Sequence, residues 1–340
     1  MELSQFEKLA ADHFGLTSVS SVRPMVAGNI NQTTVVSADE GVFVLQDVNT
    51  VVFVDPVAVM DNSDKIVQRQ DLFSLPALEM RKTTSGDSMA LQDGSPWRCY
   101  RYVEGEATPP IVTPSDAQAT ARAFGRYAKA IDGLELVEHI AGYHNFGQRV
   151  AAFEKVVESD ELGRLAGCEQ AVADLSALVD RLRVTGAYQA WLEAPVRNAH
   201  NDAKGPNCII GVAGRTIIDL DTTMPGNILA DIGELVRSST RHLGDAAPEV
   251  LMAQITSVNR GFLAGYGSEL SDAETTAMLL AGPLLTVENA VRFMTDHLSG
   301  DKYYGAETPE ENCGRAIFQL RLAERLVEAI ELATSGALAS

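Results

Sequence analysis

The sequence predicts an α+β protein, and three observations carry that expectation. Short β-branched runs separated by turn residues fill most of the first third of the chain. Amphipathic helical spacing dominates the remainder. A single apolar hairpin, Cys208 to Val212 and Thr216 to Leu220 around Gly214, interrupts the helices. This order implies a small N-terminal antiparallel sheet lobe followed by a larger, mainly helical C-terminal lobe.

Phe6, Leu9, Ala10 and Phe14 fall on one side of a helix over residues 3–14. Val35-Val36 and Val42-Phe43-Val44-Leu45, joined by Asp39-Glu40-Gly41, read as paired strands. Asp55 followed by Pro56 supplies an N-cap and a first helical residue, and the helix runs to about Gln70. Arg81 to Thr83, Ser88 to Leu91 and Trp97 to Val103 follow as strands. Glu104-Gly105-Glu106, with Pro109-Pro110 close behind, is a punctuated connection, so the lobes are expected at 1–104 and 105–340. Ser115 is the expected cap of a helix to about Ile131, with Ala119, Ala123, Phe124, Tyr127 and Ile131 on one face. Further helical patterns cover 146–158, 165–185, 231–242, 247–265, 271–298 and 308–334.

At 340 residues the chain is long enough for a large core. Its 27 Lys and Arg against 46 Asp and Glu leave a net charge of −19, which opposes nucleic-acid binding because phosphate backbones are repelled. Cys99, Cys168, Cys208 and Cys313 form no CxxC pair, so they are expected as small packing residues in a reducing compartment. The N-terminus has no long apolar run, and the run from Ala277 to Val287 contains Gly282 and Pro283 and is too short for a bilayer. A cytoplasmic protein without membrane contact, monomeric or a small homo-oligomer, is the expectation.

The chemistry-bearing stretch is His200-Asn201-Asp202-Ala203-Lys204-Gly205-Pro206-Asn207. Asp202 sits in a short polar loop, where a carboxylate can take the proton of an acceptor hydroxyl. Asn207 and Asp219 lie at the two ends of the hairpin and offer oxygen ligands for a metal such as Mg2+. Asp219 and Asp221 differ by two, so in a strand they share one face and need a cation or donor between them. These are the parts of phosphoryl transfer from ATP to a small-molecule hydroxyl. Two other readings stay open: a metal-dependent hydrolase using His200, Asp202, Asp219 and Asp221, and a non-catalytic nucleotide-binding module. Against the hydrolase, His144, His242 and His297 lack ligand spacing. No GxxxxGK[ST] run is present, which excludes a P-loop kinase.

The same loop, followed by an apolar strand ending in Asp, resembles the aminoglycoside phosphotransferase and choline kinase superfamily. Ile218-Asp219-Leu220-Asp221-Thr222-Thr223-Met224-Pro225-Gly226 narrows the resemblance to bacterial N-acetylhexosamine 1-kinases. Gly28 to Thr33, Val44 to Phe53 and Glu288 to Tyr304 are similar to that branch as well. The resemblance implies a protein-kinase-like two-lobe fold and an ATP- and Mg2+-dependent kinase. Its acceptor would be the anomeric hydroxyl of an N-acetylhexosamine or related sugar, with an aminoglycoside or a choline-like amino alcohol as the alternative. It implies Asp202 as the base and Asn207 and Asp219 as Mg2+ ligands. Gly28, Asn29 and Asn31 would form a turn over the ATP phosphates, and the backbone of Tyr102 and Val103 would meet the adenine. His200, Asp221, Arg292 and Tyr303 would serve the acceptor, His200 chiefly by holding the loop and Asp221 by orienting a hydroxyl or a second ion. Gln46 aligns with the strand lysine that holds nucleotide phosphates in the wider superfamily, so Lys65, Arg69 and Lys82 become candidates for the missing charge, while Lys204, two residues beyond Asp202, could neutralise the transferring phosphate from within the loop.

Overall fold

The structure is a computed structural model that describes residues 3–25, 30–73, 75–107, 113–308 and 310–337. Gly28 and Asn29, expected over the ATP phosphates, lie outside the described residues. The chain forms two compact units, neither contiguous in sequence: Met1–Ala107 with Ala130–Ala141 and Asn207–Pro225, and Thr108–Lys129 with Gly142–Pro206 and Gly226–Ser340.

The first unit begins with α1 (Leu3–Phe14), then β1 (Ser21–Met25), β2 (Gln32–Ala38), β3 (Gly41–Asp47), α2 (Pro56–Leu72), β4 (Met80–Arg81), β5 (Ala90–Gln92), β6 (Ser95–Arg101) and β7 (Glu106–Ala107). The main sheet runs β1-β2-β3-β6-β4 with β5 also on β6, and every pairing is antiparallel. Its core joins the apolar face of α1 to alternate strand residues: Phe6, Leu9 and Phe14 meet Val36, Phe43, Leu45, Trp97 and Cys99. Phe6 and Trp97 pack edge to face at 6.0 Å. Asp55 caps α2 as expected, accepting from the Ala58 amide at 3.0 Å. Buried Asn62 on α2 ties in the 130–141 segment, exchanging hydrogen bonds of 2.9 Å with the backbone of Val137 in both directions.

The predicted hairpin is present as β9 (Cys208–Gly211) and β10 (Gly214–Ile217), in a small antiparallel sheet with β7. One expectation about it is overturned. The second strand ends at Ile217, Asp219 adopts a left-handed backbone with φ 63°, and Leu220–Thr222 forms a 3-10 turn. Asp219 and Asp221 therefore do not share a strand face, and β11 (Met224–Gly226) follows the turn.

In the second unit, α3 (Pro114–Ile131) is followed by α4 (Phe146–Ser159), α5 (Glu169–Arg183), α6 (Gly186–Glu193) and the short strand β8 (Arg197–Ala199). α7 (Ile228–Thr240), α8 (Pro248–Tyr266), α9 (Asp272–Ala277), α10 (Ala281–Leu298) and α11 (Glu311–Ala337) complete it. Three helical expectations change in detail. Thr113, not Ser115, caps α3 by accepting from the Asp116 amide at 3.1 Å. The 165–185 pattern begins later, and Thr185 caps the separate α6 by accepting from the Tyr188 amide. The 271–298 pattern divides into α9, a 3-10 turn at Met278–Leu280 and α10. Buried α10 is the central post, packed by α4, α7 and α11. α3 and α8 approach so closely that a Cβ on Gly261 would lie 2.2 Å from the Gln118 carbonyl oxygen. Cys99, Cys168 and Cys208 are buried, Cys313 is partly so, and all four are free thiols. No described helix is long and apolar enough to cross a membrane.

Candidate active site

The His200–Asn207 loop leaves β8 through Asn201, whose φ of 63° turns the chain sharply. Such a backbone needs outside support, and Asp231 in the first turn of α7 gives it. The Asp231 carboxylate accepts from the His200 amide at 2.8 Å and the Asn201 amide at 2.7 Å. Burial pushes the Asp231 carboxyl pKa up, with His200 and the two amides opposing. The His200 ring is fully buried, edge-on to Phe124 at 5.4 Å and tilted against Tyr127 at 5.7 Å. The His200 ring is thus closed to solvent and packed against α3. The Asp202 side chain remains about a quarter exposed, at 26%, and pairs with Lys204 Nζ at 2.6 Å.

His144 joins this loop to α10. Its Nε2 donates to the Asn201 carbonyl at 2.9 Å and its Nδ1 meets the Glu288 carboxylate at 2.8 Å. A carbonyl and a carboxylate are both acceptors, an arrangement that favours the doubly protonated imidazolium over the neutral ring. Burial alone would lower its pKa, but the Glu288 charge and hydrogen bond outweigh that and raise it.

Further along α10, the Arg292 guanidinium lies 5.5 Å from the Tyr143 ring centre and 5.6 Å from that of Tyr304. Tyr303 packs edge-on to Tyr304 at 4.8 Å and stays largely exposed. Buried Asp296 builds the loop that carries both tyrosines, accepting from the Tyr303 amide at 2.8 Å, the Tyr304 amide at 2.9 Å and Asn312 Nδ2 at 3.1 Å. Arg292 and Tyr303, well apart in sequence, are thereby brought into one aromatic cluster. Burial raises the Tyr143 phenol well above its ordinary range, and the nearby Asp202 charge adds to the rise. Burial likewise pushes the Tyr304 phenol up to about 12.

In the first unit, Gln46 on β3 pairs across the sheet with Arg98 on β6. Arg98 Nε donates to Gln46 Oε1 at 3.0 Å, and its two terminal nitrogens reach the two Asp221 oxygens at 2.5 and 2.8 Å. Gln46 Nε2 donates to Thr33 Oγ1 at 3.0 Å, and Asn31 Nδ2 donates to Asp221 Oδ2 at 2.6 Å. The Ile218 amide donates to the Asn207 carbonyl at 3.0 Å, which brings buried Asn207 close in the chain's path to exposed Asp219. Tyr102 follows β6 and its amide donates to the Val42 carbonyl at 2.9 Å; Val103 is half-buried beside it. The cations proposed to replace a strand lysine are engaged elsewhere in this unit. Lys65 donates to the Glu135 carbonyl at 2.7 Å, Arg69 to the Ala130 carbonyl at 3.1 Å, and Lys82 pairs with Asp64 at 2.5 Å.

A family model described as the phosphotransferase enzyme family, APH, matches residues 21–275, well over half of the chain. The chain belongs to this phosphotransferase family. Solved structures agree on its fold. A spectinomycin phosphotransferase in complex with ADP and spectinomycin is 12% identical with a TM-score of 0.62, over 97% of this chain and 98% of that one. A microcompartment-associated aminopropanol kinase is 14% identical with a TM-score of 0.64, over 96% and 98%. An amicoumacin kinase with AMP-PNP and Ca2+ is 14% identical with a TM-score of 0.62, over 96% and 94%. The phosphotransferase accordingly has the protein-kinase-like fold, an antiparallel sheet part and a larger helical part.

Sequence reasoning passed over several residues that shape these clusters: Arg98, Tyr143, His144, Asp231 and Glu288. A signal existed for two of them. Arg98 stands in the middle of Pro96-Trp97-Arg98-Cys99-Tyr100, and Asp231 in Ile228-Leu229-Ala230-Asp231-Ile232. A lone charge inside an apolar run has to find a buried partner.

Proposed function

We propose that this phosphotransferase moves the γ-phosphoryl group of ATP to the anomeric hydroxyl of an N-acetylhexosamine or a related neutral sugar. The observation that carries it is the His200–Asn207 loop, braced by Asp231 and His144, with the one carboxylate of Asp202 left accessible. As the acceptor oxygen attacks the γ-phosphorus, Asp202 takes the hydroxyl proton. The new P–O bond forms while the bond to the β-phosphate oxygen breaks, and ADP leaves with that electron pair. Lys204, bonded to Asp202, keeps a positive charge beside the reacting groups. Asn207 and Asp219 offer an amide oxygen and an exposed carboxylate, hard donors that fit Mg2+. Mg2+, when bound, neutralises charge on the phosphates. Asn31 and Gln46, with the backbone of Tyr102 and Val103, would line the nucleotide.

Arg292 supports a neutral acceptor over a cationic one. Its guanidinium lies over the rings of Tyr143 and Tyr304, and exposed Tyr303 packs on Tyr304; Tyr303 offers a stacking face to a sugar, while the guanidinium charge repels an ammonium group. A phosphorus NMR assay with ATP, Mg2+ and a panel of N-acetylhexosamines, choline and aminoglycosides tests this. A sugar 1-phosphate resonance growing with ADP is expected. Phosphorylation of the cationic acceptors alone would sink the sugar assignment, and acceptor-independent phosphate release would favour a hydrolase.

A further inference from the structure

We propose that the buried Arg98–Asp221 pair is a positioning device that sets Asp219, Gln46 and Asn31 for metal and nucleotide, and that Asp221 touches neither acceptor nor ion. This deepens the function proposed above and rests on it for the roles of those three residues. The Asp221 side chain is only 2% exposed, and so is that of Arg98. Both carboxylate oxygens are taken: Oδ1 by Arg98, and Oδ2 by Arg98 and Asn31. Its main-chain oxygen accepts from His139 Nε2 at 2.7 Å. A carboxylate so enclosed has no path to a sugar hydroxyl. It links four pieces of the first unit instead.

Each link has a geometric consequence. The bidentate fork fixes the plane of the Asp221 carboxylate and with it the 3-10 turn Leu220–Thr222. Asp219 is the residue immediately before that turn, left-handed and exposed, so anchoring the turn sets the direction of its carboxylate. The third guanidinium contact orients the Gln46 amide, whose other end is held by Thr33. Asn31, clamped between Asp221 and the Asn49 amide at 3.0 Å, holds the chain entering β2. A lysine at position 46 would leave Arg98 facing a like charge; the neutral amide accepts from it. The glutamine and the arginine are thus parts of one arrangement, in which the arginine's charge is spent inside the fold and phosphate binding depends on metal.

The test is calorimetric binding of ADP across a Mg2+ titration, which needs no acceptor. Wild-type protein is measured first; absence of Mg·ADP binding there would refute the phosphotransferase reading and leave the pair's geometry untouched. The central variant is the double substitution Arg98→Met/Asp221→Leu, an uncharged pair of similar bulk that is expected to keep the fold. It should retain its thermal midpoint while the Mg2+ needed for half-maximal ADP binding rises about 10–100-fold, as when groups that orient metal ligands are removed. Arg98→Lys, which keeps the charge but not the fork, should fall between, with a normal circular dichroism spectrum. With the sugar found by the NMR panel, the acceptor KM should stay within about twofold while kcat falls. A folded double variant, or a folded Arg98→Lys, that binds Mg·ADP as wild type does would overturn the proposal. So would an Asp221→Asn variant whose acceptor KM alone rises.

Discussion

Asp202 and His144, which bonds the carbonyl of the preceding Asn201, show how differently two ionisable side chains at one loop can be used. Asp202 is partly open to solvent and paired with Lys204, so it can meet a substrate proton. Replacing it by Asn keeps the shape but removes the charge paired with Lys204 and the proposed acceptor of that proton. Steady-state assays of Asp202→Asn should show kcat reduced by about 10²–10⁴-fold with the unfolding midpoint preserved, the range for loss of general base catalysis. His144 is enclosed, and its pKa is raised by Glu288 against the effect of burial. A histidine whose folded pKa exceeds its unfolded value, about 6.5, gives stability that is complete below that value and fades as pH rises through the folded pKa. Urea midpoints of wild type should therefore decline above about pH 6.5. In His144→Gln that share of the decline should vanish; an identical pH profile for the two proteins would contradict the imidazolium assignment. The loop residues were legible because they lie together in sequence. The turn at Asp221 escapes the sequence for the opposite reason: its partner Arg98 lies on β6, far back along the chain, and the alternation Ile218-Asp219-Leu220-Asp221 imitates a strand. A 3-10 turn also buries Leu220, so the apolar pattern alone does not distinguish the two.

Helices were easier to read than their ends. The periodicity of α1, α2, α4, α8 and α11 follows their apolar faces, and Asp55-Pro56 marks the start of α2. The breaks before α6 and α10 were less apparent, since helical spacing continues across Thr185 and across Met278–Leu280 while the backbone does not. Close helix contacts were invisible, because a small residue in a helix looks like a weak helix former until its neighbour is known. Gly261 and Gly265 of α8 lie against the carbonyls of Gln118 and Arg122 on α3, where an added Cβ would come within 2.2 Å of each oxygen. Gly261→Ala must separate those helices, and about 1–3 kcal/mol of destabilisation is expected. Gly314 in α11 has no atom within 4 Å of the same added Cβ. Gly314→Ala should stabilise by roughly 0.5–1 kcal/mol through helix propensity alone. Chemical denaturation of both variants checks the pair, and equal effects of the same sign would refute the α3–α8 contact as the cause.

Across the whole molecule, the sequence supports the kinase-like class before it supports an acceptor. The ordering of strands, helix, hairpin and helices is a long-range pattern that survives errors at element ends, and 21–275 matches the phosphotransferase family model. The proposed acceptor rests on fewer residues, Arg292 and Tyr303 among them, whose neighbours Tyr143 and Tyr304 become evident only once α10 and the loop after it are folded. Net charge supplies an independent test. At −19 the protein surrounds itself with a negative potential that draws in cations and is screened by salt. A cationic acceptor would then lose kcat/KM as ionic strength rises from about 0.1 M, where the Debye length is about 10 Å, to about 1 M, where it is about 3 Å. A neutral sugar feels no such steering. With Mg·ATP saturating at every salt concentration, so that the anionic nucleotide no longer limits the rate, kcat/KM for an N-acetylhexosamine should be flat over this interval. A steep fall would mean that a positive charge on the acceptor contributes to its capture, and Arg292 would then have to lie away from the bound acceptor.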